Sequence, residues 1–227
     1  MKQVGVDLIQ LPELNGFKFM IVLIDYFSKR TKAEPLSNKT AVSVAFFLYK
    51  VICSHGCFKI QINNQGREFV NSVSIALHGM IDTQQHVAPA YHLQANGLVE
   101  RQNQTIKKAI IKVLNENFQN WMSVLDGNFF SLRVKVHDSM GYSPFFLTYN
   151  RQPCLSIDAK YKDRLNDDEY NPNKEVLQKA LEMKRGIEEK AMNSIICSQK
   201  KQKIDNDRKH ATTSKYCVGQ KVLLRNL

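Results

Sequence analysis

Three β-rich runs follow one another within the first 36 residues, and no helical pattern separates them. "QVGVDLIQL" alternates in part and stops at Pro12, "FKFMIVLIDYFS" is the longest apolar run of the chain, and "RTKAEPL" is a short third run. Strands that close together in sequence pair as antiparallel neighbours, so the chain opens with a meander. Beyond it the pattern changes period. Residues 40–54 place Val42, Val44, Ala45, Phe47, Leu48, Val51 and Ile52 at helical spacing. "FKIQIN" then predicts a fourth strand, residues 68–80 a helix, and "QQHVAPA" a fifth strand. A meander followed by alternating helices and strands predicts an α/β fold: a five-stranded mixed sheet with flanking helices.

After the fifth strand the sequence turns helical. Residues 97–115 carry Val99, Ile106, Ile110 and Val113 on one stripe, with Glu100, Gln104 and Lys107 on another face and Arg101, Lys108 and Lys112 widening the polar side. One further helix is expected around Trp121–His137, and "SPFFLTYN" opens with a Ser-Pro helix start. Near residue 155 the composition shifts. The expected organisation is a domain over 1–155, a polar linker over 156–173, a charged helical extension over 174–210, and a last run over 211–227 that starts a further strand. The extension is expected to add little to the stability of the domain.

Composition narrows the class of partner. The 227 residues carry a net charge of +11, divided between 15 basic and 10 acidic side chains in 1–150 and 17 and 11 in 151–227. Such an excess favours an anionic partner, nucleic acid foremost. Five cysteines at 53, 57, 154, 197 and 217 are odd in number and scattered, which fits a reducing compartment rather than a disulfide framework. "CSHGC" has no distant second half, so it reads as a helix end at Gly56 and not as a zinc site. No apolar run reaches a membrane span and no signal peptide is visible, so no membrane partner is expected.

Three positions carry the chemistry. Asp7 lies mid-strand between Val6 and Leu8, Asn64 ends the fourth strand before a glycine turn, and Glu100 sits near the start of a helix. Carboxylates at strand and helix ends are a common way to hold Mg²⁺. The same pattern also fits an edge-strand aspartate and a first-turn glutamate favoured by the helix dipole.

Five blocks in order, "VGVDLIQLPE", "IDYFSKRTKAEPL", "INNQGREF", "AYHLQANGLVERQNQTIK" and "YSPFFLTYNRQP", resemble the integrase catalytic core of Ty3/gypsy-type LTR retrotransposons and retroviruses over residues 2–155. The tail over 207–227 resembles the family's lead-in to an SH3-like domain, of which it holds the start. The resemblance implies a ribonuclease H-like fold, and metal-dependent DNA cleavage and joining by an Asp, Asp, Glu triad using Mg²⁺ or Mn²⁺. Asp7 matches the first acid and Glu100 the third. The family's spacing of 35 residues between the second and third acids is met by residues 65 to 99, which puts the second position at Asn64. The triad is therefore degenerate, and weakened metal binding by Asp7, Glu100 and Asn64 is expected. Asp25 and Glu68 are expected to face solvent or a local partner and not to replace the missing acid. Two further departures are Leu93 in "YHLQ" and Asn150 in "YNRQP", where Asn tolerates left-handed backbone angles.

These features together predict an integrase-core protein for DNA integration or nucleic-acid binding, catalytically inactive, in the nucleus of a eukaryotic host. Its DNA contacts are expected to be nonspecific and phosphate-dominated through Gln104, Lys107, Arg101, Lys108 and Lys112, with a homodimer formed through the core. The alternatives are an active metal-dependent polynucleotidyl transferase and a protein-interaction scaffold that reuses the fold.

Overall fold

The computed structural model describes residues 1–88, 93–113, 118–153 and 174–209. Five strands, β1 (Gln3–Leu14), β2 (Phe17–Asp25), β3 (Thr31–Leu36), β4 (Ile60–Asn63) and β5 (Gln84–Val87), form a single sheet in the order β3-β2-β1-β4-β5. The β1-β2 and β2-β3 pairs are antiparallel, whereas β4 runs parallel to β1 and β5 parallel to β4. This is the mixed sheet expected from the sequence. Its parallel half is produced by the crossover helices α1 (Ala41–His55) and α2 (Ser72–Met80).

Local chemistry fixes the boundaries. The β1-β2 hairpin turns through Asn15 (φ 51°) and Gly16 (φ 80°), the left-handed pair that a two-residue turn of matching twist requires. β1 does not stop at Pro12. It continues to Leu14 across a register shift between Gln10 and Leu14, where the missing proline N–H breaks no ladder, and the Pro12 carbonyl accepts a 2.9 Å bond from Trp121 Nε1. Thr40 caps α1 by accepting from Ser43 N, and the helix ends at Gly56 (φ 79°), as "CSHGC" predicts. Cys53 and Cys57 are exposed free thiols there. α2 starts at Ser72 and not at residue 68, because the Asn71 side chain caps it and Phe69 and Val70 donate instead to the Gly66 carbonyl.

The sheet buries both faces. Val4, Val6, Ile21 and Leu23 pack with Phe47, Leu48 and Val51 of α1 and with Phe58 and Phe69. Ile9, Met20 and Val22 pack on the other face with Ile106 and Ile110 of α3 (Leu93–Val113) and with Trp121 and Phe129. The α3 stripe is shorter than the sequence predicts, since Val99, Ile106 and Ile110 are buried but Val113 is 55% exposed. The segment expected as one helix over Trp121–His137 is a 3₁₀ stretch, Phe118–Val124, kinked at Asn120, followed by α4 (Leu125–Val134).

α5 (Pro144–Tyr149) is capped by Ser143, has proline in its first turn, and ends at Asn150 in the left-handed region (φ 54°), the conformation for which Asn is suited. α6 (Lys174–Lys209) lies against it. Ala191 and Ile195 are buried with Met140 and Leu147, and Phe27, Tyr142 and Ile187 border the cluster. The helical extension therefore shares a small apolar core with the domain, a contact that the sequence reading did not foresee. The sequence readings for the linker, the C-terminal run and Leu93 lie outside the described residues or side chains.

One contact sets the spacing of the two halves of the site. A Cβ on Gly5 of β1 would stand 2.3 Å from Val99 Cγ2 and 2.9 Å from Tyr26 Cε2, so only glycine lets α3 come this close to the sheet. Gly5→Ala is expected to push α3 outward and to destabilise the fold by about 1–3 kcal/mol, the usual range for overpacking. Chemical denaturation of the two proteins, compared at equal m-value, measures it.

Candidate active site

Gly5 and Val99 are near neighbours in sequence of Asp7 and Glu100, and the close approach of β1 and α3 brings those two carboxylates into electrostatic contact. Burial is the main cause that raises the Asp7 pKa above its ordinary value. The Leu8 backbone N–H works against it, Glu100 raises it further, Asn103 lowers it, and Glu68 adds a smaller rise. Two acids from different parts of the chain, Glu100 and Glu68, thus act on Asp7.

Asn64 reaches the same point from the end of β4. Its Nδ2 donates to Asp7 Oδ1 at 3.1 Å, and its Oδ1 accepts from the Gly66 backbone N at 2.9 Å, a local turn typical of Asn. The other Asp7 oxygen, Oδ2, accepts from Asn103 Nδ2 at 2.8 Å. Both oxygens of Asp7 are therefore held by side-chain amides, one from the β4 loop and one from α3.

The loop that carries Asn64 is anchored from behind by uncharged groups. Asn63 Nδ2 donates to the Asn64 carbonyl at 2.7 Å, and Asn63 Oδ1 accepts from Gln61 Nε2 at 3.1 Å and Gln85 Nε2 at 2.9 Å. Gln61 Oε1 in turn meets His78 Nε2 at 3.1 Å, with Gln61, Asn63 and His78 all buried. This network links β4, β5 and α2 and fixes the loop.

Of the three expected positions, Asn64 bonds to Asp7 and Glu100 acts on Asp7 electrostatically. Asp25 stays apart: buried, it accepts from the Ser28 N and Oγ through Oδ2, the local partner expected of it. Glu68 does more than the local role expected of it. It faces Asp7 closely enough to raise its pKa, and its carboxylate sits 2.7–2.8 Å from where a Cβ on Gly66 would be, so glycine at 66 admits it. Asn103 was not singled out by sequence, although its place three residues after Glu100 puts it on the adjoining face of the helix. Gln104, Lys107, Lys108, Lys112 and Arg101 are all exposed on α3.

The fit to divalent cations follows from these contacts. Mg²⁺ demands anionic oxygens in near-octahedral array. Here one of the three expected positions is a neutral amide, and both Asp7 oxygens already accept N–H bonds. Among the described residues no group of three or more His, Cys, Asp or Glu side chains is arranged to hold a metal ion.

A mixed five-stranded sheet in this order, flanked by helices and carrying acids at the centre of β1 and on α3, defines the ribonuclease H-like class. No family model matches the chain. It is 30% identical over 147 residues to the Pol polyprotein of Feline endogenous virus ECE1, a match covering 64% of this chain and 14% of that protein. The Gag-Pol polyprotein of Avian reticuloendotheliosis virus is 31% identical over 140 residues, 61% of this chain and 12% of that protein. The retrovirus-related Pol polyprotein from transposon 412 of Drosophila melanogaster is 26% identical over 216 residues, covering 93% of this chain and 17% of that protein. The chain thus spans a minor part of each of these relatives. A chain of the simian T-cell lymphotropic virus intasome, solved by cryo-electron microscopy with the PP2A regulatory subunit B56 gamma, superposes with a TM-score of 0.59 at 16% identity. That match covers 68% of this chain and 55% of that one. The chain is thus similar to a segment of retroviral and transposon Pol polyproteins, and it shares its fold with a chain of a retroviral intasome.

The sign of the Asp7 shift gives a test. A raised pKa means the folded state holds the proton more tightly than the unfolded chain, so this group's contribution to stability is fully present below the unfolded pKa and is lost as pH rises through the folded pKa. Glu100→Gln removes a cause of the rise and is expected to bring the Asp7 pKa down towards the ordinary value. Asn103→Leu removes a bond to the charged form and is expected to raise it further. Carboxyl ¹³C titration of Asp7 in the two variants and the wild type checks both directions.

Proposed function

We propose that this is the catalytic-core region of a Ty3/gypsy-type integrase that retains nucleic-acid binding and has lost strand transfer. The observation that carries the reading is the bond from the Asn64 amide to Asp7. An N–H donor stands where a second carboxylate would share a cation with Asp7, and the site falls from three formal negative charges to two. In the integrase family the metal supplies the transition-state stabilisation of phosphoryl transfer, several kcal/mol of it, and each 1.36 kcal/mol is about tenfold in rate. Loss of one ion is therefore expected to cost at least about two to four decades.

What this chain's own residues retain is binding. Gln104 and Lys107 lie on the helix face that carries Glu100, and Arg101, Lys108 and Lys112 continue the positive surface around it. Contacts of this kind are made to phosphates and carry little base readout. A nuclear location follows for a DNA-integrating protein of a eukaryotic host. Assembly through the core is supported by α1, where Val42, Phe46 and Tyr49 are 67%, 59% and 56% exposed along one stripe. Among the described residues no helix is long and apolar enough to cross a membrane.

A second reading, an active polynucleotidyl transferase, is favoured by Glu68, a further carboxylate that acts on Asp7. Mg²⁺ or Mn²⁺ titration and strand transfer from a pre-cut DNA end, run on wild type, Asn64→Asp and Glu68→Gln, separate the two. The lost-acid reading expects no transfer by wild type and a clear gain of divalent affinity in Asn64→Asp. Robust wild-type transfer abolished by Glu68→Gln would establish the second reading instead.

Duplex DNA binding is expected to weaken steeply with salt, each phosphate contact contributing about −0.9 to the log–log slope. Replacing Lys107, Lys108 and Lys112 together by Gln should flatten that slope, and an unchanged slope would make the α3 surface a bystander.

A further inference from the structure

α3 has a second polar stripe that does not face the carboxylates, and Arg101 lies at its edge. Leu98, Arg101, Gln102 and Thr105 follow one another at helical spacing, and at 3.6 residues per turn they lie across the helix from Glu100, Gln104 and Lys107. A cleft of about 250 Å³ opens along this stripe. Its far wall is α6, which presents Ile195, Ser198, Gln199 and Gln202 at the same spacing, and its floor holds Tyr26, Lys29, His137 and Ser139. An adjoining cleft of about 210 Å³ shares Lys29, Gln102, Thr105 and His137 and extends to Lys135 and Asp138, so the two form one trough.

The lining is selective in kind. The first cleft contains two cations, an imidazole and a set of hydroxyl and amide groups, and no carboxylate. α6 is rich in acids and bases elsewhere, yet offers this cleft only neutral hydrogen-bonding groups besides Ile195. Lys29, Arg101 and Lys135 form no ion pair among the described residues, where the ion pair found joins Lys50 and Glu34. Arg101 spends Nε on the Gly97 carbonyl at 3.0 Å, which leaves its terminal amino groups without an acceptor among the described residues. Lys29 Nζ donates to the Tyr26 carbonyl at 2.6 Å, which holds the ammonium in the floor with donor capacity to spare.

The electrostatics agree with the geometry. Burial, then Lys29, Lys135 and Arg101, hold the His137 pKa below its ordinary value, with Asp138 opposing them. Burial and Arg101 likewise lower that of Lys29 against the pull of Asp25. The cations repel one another in a half-buried trough, and a bound anion relieves that repulsion.

We infer that this trough is a phosphate-binding cleft for the sugar–phosphate backbone of a nucleic acid, one phosphate seated among Lys29, Arg101 and His137 and the next towards Lys135. The inference rests on the nucleic-acid reading above and adds a contact surface on the side of α3 turned away from Asp7. Lys108 and Lys112 follow Arg101 at offsets of 7 and 11 and continue its line along the helix.

The test compares short duplex and single-stranded DNA binding across a salt series for wild type, Lys29→Gln/Lys135→Gln, Lys135→Gln alone, and the charge-matched Lys18→Gln/Lys59→Gln. Two lost contacts should flatten the slope by about 1.8, so that the double trough variant loses about tenfold less affinity than wild type between 50 and 200 mM salt. Lys135→Gln, at an exposed position, should give about half that change in slope. Equal slopes in the trough and charge-matched variants would overturn the inference and leave the nucleic-acid reading standing. Absence of DNA binding by wild type would sink that reading and the backbone assignment with it. A pyrophosphate titration followed at the His137 imidazole resonance then decides the cleft itself: movement in wild type but not in the double variant retains a phosphate site for a small anion, and no movement removes it.

Discussion

The approach of α3 to the centre of the sheet governs everything else in this structure. β1 is the central strand, paired on both sides, and a helix can lie over it closely only where a strand residue has no side chain. Gly5 supplies that position and Val99 fills it. Asp7 and Glu100 sit two residues and one residue away from this contact, so their separation is fixed by packing and not by their own interaction. That distinction matters because two like charges drawn together without a cation repel, and a softer contact would let them part. The rigid apolar approach on one face, backed by Ile106 and Ile110, opposes the repulsion.

Around that fixed pair the polar groups follow a consistent logic. Half-buried Asp7 loses hydration, and its neighbours Glu100 and Glu68 deepen the cost of its charge. Two amide N–H groups offset part of it by bonding directly to the carboxylate. Asn64 is well suited to this task because its oxygen is occupied by the Gly66 N–H, which turns its nitrogen towards Asp7. The loop is thus coherent as it stands, and Asn64 is integrated into a bonded turn.

Much of the fold was legible because its signals are local. The strand runs, the Ser-Pro start of α5, the glycine that ends α1 and the left-handed Asn150 each depend on a few neighbouring residues. Asn64 was singled out through the interval to Glu100 that the family resemblance supplies, and its bond to Asp7 is a matter of the fold. What escaped were consequences of distance in three dimensions. Glu68 was expected to face solvent or a local partner, and its influence on Asp7 was not foreseen; the bare Gly66 lets its carboxylate fold back. Val113 carries on the apolar stripe of α3 in sequence, but the core ends before it. Pro12 looked like a strand terminator, and a bulge accommodates it. The docking of α6 through Ala191 and Ile195 was hidden in a helix whose composition is dominated by charge. The trough between α3 and α6 was hidden for the same reason, since neither stripe signifies anything until the two face each other.

The amide network behind the site has a bearing on how the region behaves as a material. A cluster of three carboxylates is assembled only as far as counter-ions keep it so, and its shape depends on chelators, salt and acidity. Gln61, Asn63, Asn64, Gln85 and Asn103 carry no charge and do not titrate, and their bonds to one another and to Asp7 close without any solute. The centre of this protein is therefore knitted by groups indifferent to the ionic composition of the medium. These amide bonds hold the β4 loop against β1 and α3 with no ion among their partners.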